Sequence, residues 1–286
     1  MKRKRTGFTL VELLTVLAII TMLVGLLVPS MATVRRFARE TKQRAQLMTM
    51  DLALTAFRDE YGEYPESVFR MPFDYGGAQK LAEALLGRDL MGFHPNSQWN
   101  LADGVYAPTE DNLRQRRGPY LELGTANAFQ LGVVSGVGGH DGLFLDTSWG
   151  TSELNHHTFV ICDVFGVRKL TLANGRTVTA GTPILYYRAN VSSRTFQDSG
   201  AWEACIYSAY DNLTLLRLGV LTPDGSRGRD HRLVSGDGAY LISPEYKLWD
   251  PKVAIPWPHR PDSYILISAG VDGEYGTADD ITNFGD

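Results

Sequence analysis

Residues 8–28 read FTLVELLTVLAIITMLVGLLV, an apolar run of 21 residues with one charge in it, Glu12. As a helix rising 1.5 Å per residue it extends about 32 Å, the thickness of a bilayer hydrocarbon core. Lys2, Arg3, Lys4 and Arg5 precede it without an acid among them. By the positive-inside rule these stay on the cytoplasmic side and everything after Val28 lies across the membrane. Glu12 breaks the pattern. A carboxylate inside a spanning helix costs about 2.5–3.5 kcal/mol even on the gentler insertion scale, so it calls for a cationic partner. A new α-amino group at Phe8, exposed by cleavage after Gly7 and carried by a neighbouring copy, supplies one.

The segment Gly7-Phe8-Thr9-Leu10-Val11-Glu12-Leu13-Leu14, behind its short basic leader, resembles the cleavage and methylation signature of type IV prepilins and type II secretion pseudopilins. The resemblance implies that a prepilin peptidase cuts after Gly7 and methylates the new N-terminus at Phe8. It further implies that Glu12, the fifth mature residue, directs assembly into a filament. The partners it implies are identical and minor pseudopilin subunits and the inner-membrane secretion assembly platform. The precursor would then sit in the inner membrane as a single-pass protein, with its body in the periplasm or otherwise outside the membrane, and in a filament after assembly. Pro29 matches the helix-kinking proline that many of these proteins carry. An ordinary signal peptide is the alternative, with Ser30-Met31-Ala32 as its small-x-small site, but the apolar run exceeds the 7–15 residues of an h-region. A plain transmembrane anchor leaves Glu12 unexplained.

Beyond Pro29 the helical pattern turns amphipathic. Arg35, Arg36, Arg39, Glu40, Lys42 and Arg44 are followed by Leu47, Met50, Leu54, Phe57 and Tyr61 at intervals of three to four, a stripe for core packing. Gly62 and Pro65 stop the helix, giving one stalk over 8–61. The body, 62–286, begins with a glycine- and loop-rich stretch at about 66–155 that resembles an insertion, with one helical candidate at 77–86. Strand patterns follow at 158–167, 169–179 with a hairpin signal at Asn174-Gly175, 184–188, 202–207 and 264–268. The expected architecture is α+β: a long N-terminal helix, membrane-spanning in its first half, packed on an antiparallel sheet as in pilins.

After the last strand, residues 268–281 hold three aspartates and three glycines. A glycine-permitted loop that folds back can present Asp272, Asp279 and Asp280 to one Ca2+, which takes six or more hard oxygens. The spacing is not that of an EF-hand. The segment resembles the C-terminal calcium loop of the type II secretion major pseudopilin. That implies side-chain oxygens from the three aspartates, backbone oxygens from Ala269 and Thr277, and a tail aromatic at Phe284. Without a metal, Asp272-Gly273 is a turn and Asp279 a cap.

The formal charge is −4, and without the leader it is −8, so there is no electrostatic footprint for nucleic acid. Cys162 and Cys205 admit one disulfide and no zinc cluster. The six histidines show no metal spacing, and the glycines at 132–142 fit no nucleotide loop. No nucleophile elbow occurs. A structural protein, not an enzyme, is the reading; the rival is a binding or catalytic module merely tethered by the helix.

Overall fold

A computed structural model describes residues 9–68, 76–95, 113–132, 141–145, 158–172, 174–193, 205–235, 238–239, 253 and 257–285. The chain forms two units, Met1–Lys42 and Gln43–Asp286. Helix α1, Leu10–Tyr61, carries the boundary inside it.

In the first unit the helix is exposed at every described side chain except the half-buried Glu40. Several of its hydroxyls bond back to the helix's own carbonyls. Thr15 donates to the Glu12 carbonyl at 3.0 Å, Thr21 to those of Leu17 and Ala18, and Ser30 to that of Leu27 at 2.9 Å. This is what a helix in hydrocarbon requires, since no water is present to take those bonds. The helix continues through Pro29, although proline supplies no donor to its ladder. At the far end, Gly62 adopts φ +84° and its N–H closes on the Arg58 carbonyl at 2.7 Å, the left-handed stop that the sequence predicts.

The second unit begins at Gln43. Leu47, Met50, Ala53 and Leu54 of α1 are buried against Leu81, Leu85 and Leu86 of α2 (Gly77–Leu86), and against Ile161, Tyr186, Tyr264, Leu266 and Ile281 from strands. Phe57 packs against the rings of Tyr61, Phe93 and Tyr120 in tilted and edge-to-face geometries. The helical candidate at 77–86 is therefore a core element, and the stretch read as an insertion supplies much of the packing: Leu121, Ala126, Leu131, Leu143 and Phe144 are all buried.

The strands are β1 (Ala128–Gln130), β2 (Phe159–Ile161), β3 (Arg168–Thr171), β4 (Thr177–Ala180), β5 (Leu185–Arg188), β6 (Val234–Ser235), β7 (Gly238–Ala239), β8 (Tyr264–Ser268) and β9 (Ile281–Thr282). They pair antiparallel as β1-β2, β3-β4, β5-β8-β9 and β6-β7. In place of one continuous sheet there are four small ones among the described residues. β5 and β8 are central: Tyr186, Tyr264 and Leu266 face the α1 cluster, while Leu185, Tyr187, Ile265 and Ile267 face a second cluster with Leu213, Leu215 and Leu216 of α3 (Leu213–Arg217). Alternation along a strand buried on both faces produces this division. The β3-β4 hairpin turns at Asn174-Gly175, with Gly175 at φ +77°. The strand expected at 202–207 is not formed over Cys205–Tyr207, which makes a bridge and then bends; residues 202–204 lie outside the described residues.

Candidate functional site

Gly7 and Phe8, the expected processing residues, lie outside the described residues. Glu12 stands one turn into α1 and is exposed. Its Oε2 accepts from the Thr9 N–H and the Thr9 hydroxyl, each at 2.8 Å, and its own N–H donates to Thr9 Oγ1 at 3.2 Å. Thr9-Leu10-Val11-Glu12 is thus a reciprocal capping box, satisfying donors that the start of a helix otherwise leaves open. Apart from the intermolecular partner expected from the sequence, on which the cap does not bear, Glu12 therefore has a local one in Thr9. The Thr-x-x-Glu spacing was the signal for it. The cap also holds the carboxylate beside the start of the helix.

At the other end of the chain, the loop between β8 and β9 folds back on itself. Gly270, Gly273 and Gly276 have φ of +67°, +70° and +90°. A Cβ at Gly270 would fall 2.2 Å from the Asp279 carbonyl oxygen, so only glycine fits there. Asp279 Oδ2 accepts from the Val271 and Asp272 N–H groups at 2.8 and 3.1 Å, and Oδ1 accepts from Thr277 Oγ1 at 2.6 Å. Asp272 Oδ1 accepts from the Glu274 N–H at 2.8 Å. Burial pushes the Asp272 carboxyl above the usual range, and the negative charge of Asp279 adds to it. Burial acts the same way on Asp279, but its hydrogen bonds from Thr277, Asp272 and Val271 outweigh it and hold that carboxyl low. Asp272 and Asp279 therefore act on one another. Asp280 instead accepts from the Gly276 N–H at 2.8 Å, and Ala269 is buried at the end of β8. Among the described residues, no three His, Cys, Asp or Glu side chains are grouped to hold a metal. The donor chemistry for a hard cation is present as a carboxylate pair rather than the expected trio.

Side chains outside the motif anchor this loop. Glu274, buried, pairs with Arg229 and, at 3.3 Å, with Arg232. Tyr275 is buried, its hydroxyl donates to the Pro183 carbonyl, and its N–H donates to His231 Nδ1 at 3.2 Å. Sequence reasoning missed Glu274 and His231, whose partners lie more than forty positions away.

With both ends described, one observation decides how the first is read. Residues 2–28 match the prokaryotic N-terminal methylation motif. The chain carries the type IV pilin-like prepilin signal, and that signal implies processing by a prepilin peptidase and pilus-like assembly. The single apolar N-terminal helix fits a membrane anchor for a protein of this kind. No curated protein and no solved structure matches the chain.

Two further buried groups matter for stability. Asp163 accepts from the Phe165 and Thr182 N–H groups at 3.1 and 3.2 Å and from the Ser268 hydroxyl at 3.4 Å. Burial nonetheless pushes its carboxyl up to about 7. Burial also draws His231 down to about 4. Cys162 and Cys205 are both buried, and no disulfide joins them. Burial raises the Cys162 thiol well above the usual range, and the neighbouring Asp163 adds to this.

Proposed function

We propose that this protein is a structural subunit of a type II secretion pseudopilus or a related pilus-like filament, cut after Gly7 and methylated on Phe8. The observation that carries the reading is the methylation motif at 2–28 with Glu12 five residues past its cleavage point. In the assembled state the Phe8 ammonium of one copy meets Glu12 of the next. This offsets the burial cost of both charges and sets their axial stagger. A heterologous contact of this kind repeats into an open helical polymer rather than closing.

The exposed face of α1 in the second unit also supports the reading. Ala45, Met48, Leu52 and Ala56 recur at intervals of three to four and are exposed, opposite the buried stripe of Leu47, Met50, Leu54 and Phe57. A charge-free seam of this spacing suits a second helix. The C-terminal loop binds Ca2+ through Asp272 and Asp279, with backbone carbonyls such as that of Ala269 completing the shell. A divalent ion between them offsets the burial that mainly raises Asp272 and the smaller repulsion from Asp279.

Mass spectrometry of the mature chain from cell envelopes tests the processing. A chain beginning at Phe8 with one added methyl group supports it, and one beginning at Thr33 overturns it. Sheared-filament preparations test assembly. A cleaved, methylated chain that never pellets with filaments returns the tethered-module reading.

A further inference from the structure

Past the apolar run, α1 carries a second charge feature that the processing motif does not use. Arg35, Arg39 and Lys42 are spaced i, i+4, i+7, and Arg36 stands three residues before Arg39, so the four share one side of the helix. Glu40 is the one acid in the segment and pairs with Arg36 at 2.8 Å. Among the described residues, Arg39 and Lys42 meet no acid, and Arg35 touches the sulfur of Met31 at 3.5 Å. Like charges at this spacing repel and weaken the helix that carries them. Lys and Arg beyond the far end of a span also oppose the topological bias that the basic leader sets. The stripe therefore works against both helix stability and topology, and calls for a polyanionic counterpart.

Its position indicates which one. Residues 13–34 carry no charge and extend about 33 Å as a helix, slightly more than a hydrocarbon core of about 30 Å. Arg35 is the first charge after Glu12. From Arg35 to Lys42 the helix rises about 10 Å, which crosses a headgroup layer of about 5–7 Å. Val34 and Phe37, on the opposite side, are exposed apolar residues suited to the acyl boundary. Residues 43–286 hold 20 Lys and Arg against 30 Asp and Glu, a net −10, so an anionic surface attracts the stripe and repels the body.

We propose that the stripe Arg35, Arg36, Arg39 and Lys42 binds the phosphate headgroups of anionic phospholipids in the leaflet at the C-terminal end of the span. This holds the unassembled subunit at a fixed depth. The inference rests on the reading of residues 13–34 as a membrane span.

The test uses the full chain and an R35Q/R39Q/K42Q variant in vesicles of three parts phosphatidylcholine to one part phosphatidylglycerol. Resistance to alkaline carbonate extraction scores the span. The lipid retained through detergent purification, quantified by mass spectrometry, scores the stripe. The expected result is that both chains resist extraction, and that wild type retains phosphatidylglycerol at least about threefold over its bulk share. In the variant and in high salt that enrichment falls to the bulk ratio. Extraction of the wild-type chain by carbonate overturns the span and the proposal together. Integration without enrichment, or enrichment unchanged in the variant, overturns the proposal alone. Loss in the variant of a salt-sensitive self-association in pure phosphatidylcholine, with no change in retained lipid, assigns the stripe to the acidic body of a second copy and likewise overturns it.

Discussion

Leu52 and Leu54 lie two residues apart on α1, yet Leu52 is 72% exposed and Leu54 is 0% exposed. The same contrast holds on a larger scale. From Leu10 to Lys42 the helix keeps its apolar side chains exposed, whereas from Gln43 to Tyr61 one face is sealed by the body and tied to it through polar groups. Gln43 Oε1 accepts from the Val164 N–H, Gln46 Nε2 donates to the Cys162 carbonyl, and Asp51 Oδ1 accepts from the Tyr264 hydroxyl at 2.7 Å and from Asn283 Nδ2 at 2.9 Å. One continuous helix thus has two environments: its first part keeps its apolar side chains exposed, and its second part buries one apolar face within the chain. Composition already separates the two, since residues 13–34 carry no charge whereas 43–61 mix charged and apolar residues. The fold adds backbone and side-chain partners for Gln43, Gln46 and Asp51.

The largest expected effect breaks this comparison at its N-terminal end. Glu12→Leu should abolish filament assembly, scored by sheared-filament recovery, while cleavage continues and the melting of the body is unchanged. Recovery of normal filaments would remove Glu12 from the assembly contact. Next comes the matched pair in the packed half. Leu54→Ala should destabilise the body by about 2–5 kcal/mol in denaturant unfolding, whereas Leu52→Ala should stay within about 0.5 kcal/mol. Equal losses would mean that the exposed seam is packed within the monomer.

The buried titrating pair gives a subtler contrast. Asp163 is raised to about 7 from an ordinary 3.8. Its contribution to stability is therefore greatest below pH 4 and falls as pH rises to about 7, because the native state holds the proton that the unfolded chain has released. His231 is lowered to about 4 from 6.5, so its contribution runs the other way, falling as pH drops from 6.5 to 4. The two slopes oppose each other. Thermal melts of Asp163→Asn should show stability rising with pH between 4 and 6.5, and those of His231→Gln should show it falling between pH 4 and 7. Identical pH profiles for both variants would refute the assignment. On the calcium reading, saturating Ca2+ at about 100 times its dissociation constant should add about 2.7 kcal/mol, lost in Asp272→Asn and absent with magnesium-only buffer. A local effect is expected for Thr9→Ala, which should cost the helix start about 1 kcal/mol, visible as faster amide exchange over the first turn of α1.

Much of the fold was legible because its signals are local. The end of α1 at Tyr61 follows from Gly62, the bounds of α2 at Gly77–Leu86 from its flanking glycines, and the β3-β4 turn from Asn174-Gly175. The expected strand at 202–207 failed over Cys205–Tyr207 because a short apolar run reads alike whether it pairs or merely fills a core; Ile206 and Tyr207 are buried without forming a strand. At the N-terminal site the motif was legible in full and the capping box was overlooked, although its spacing was present. In the C-terminal loop the glycine positions were legible. The anchoring by Arg229, Arg232 and His231 was not, since sequence distance conceals spatial neighbours.

The sequence by itself determined the apolar helix, its single carboxylate at position 12, the processing motif and the charge segregation along the chain. Each depends on residues within a few turns of one another, where spacing and composition act directly. Only the tertiary structure decided which face of α1 is sealed, that residues 77–86 and Leu121, Ala126, Leu131, Leu143 and Phe144 belong to the core, and that Asp272 turns toward Asp279 while Asp280 bonds Gly276. These outcomes depend on competition among distant groups for the same buried space and the same hydrogen-bond donors, and packing settles that competition through burial and pairing that no local pattern encodes.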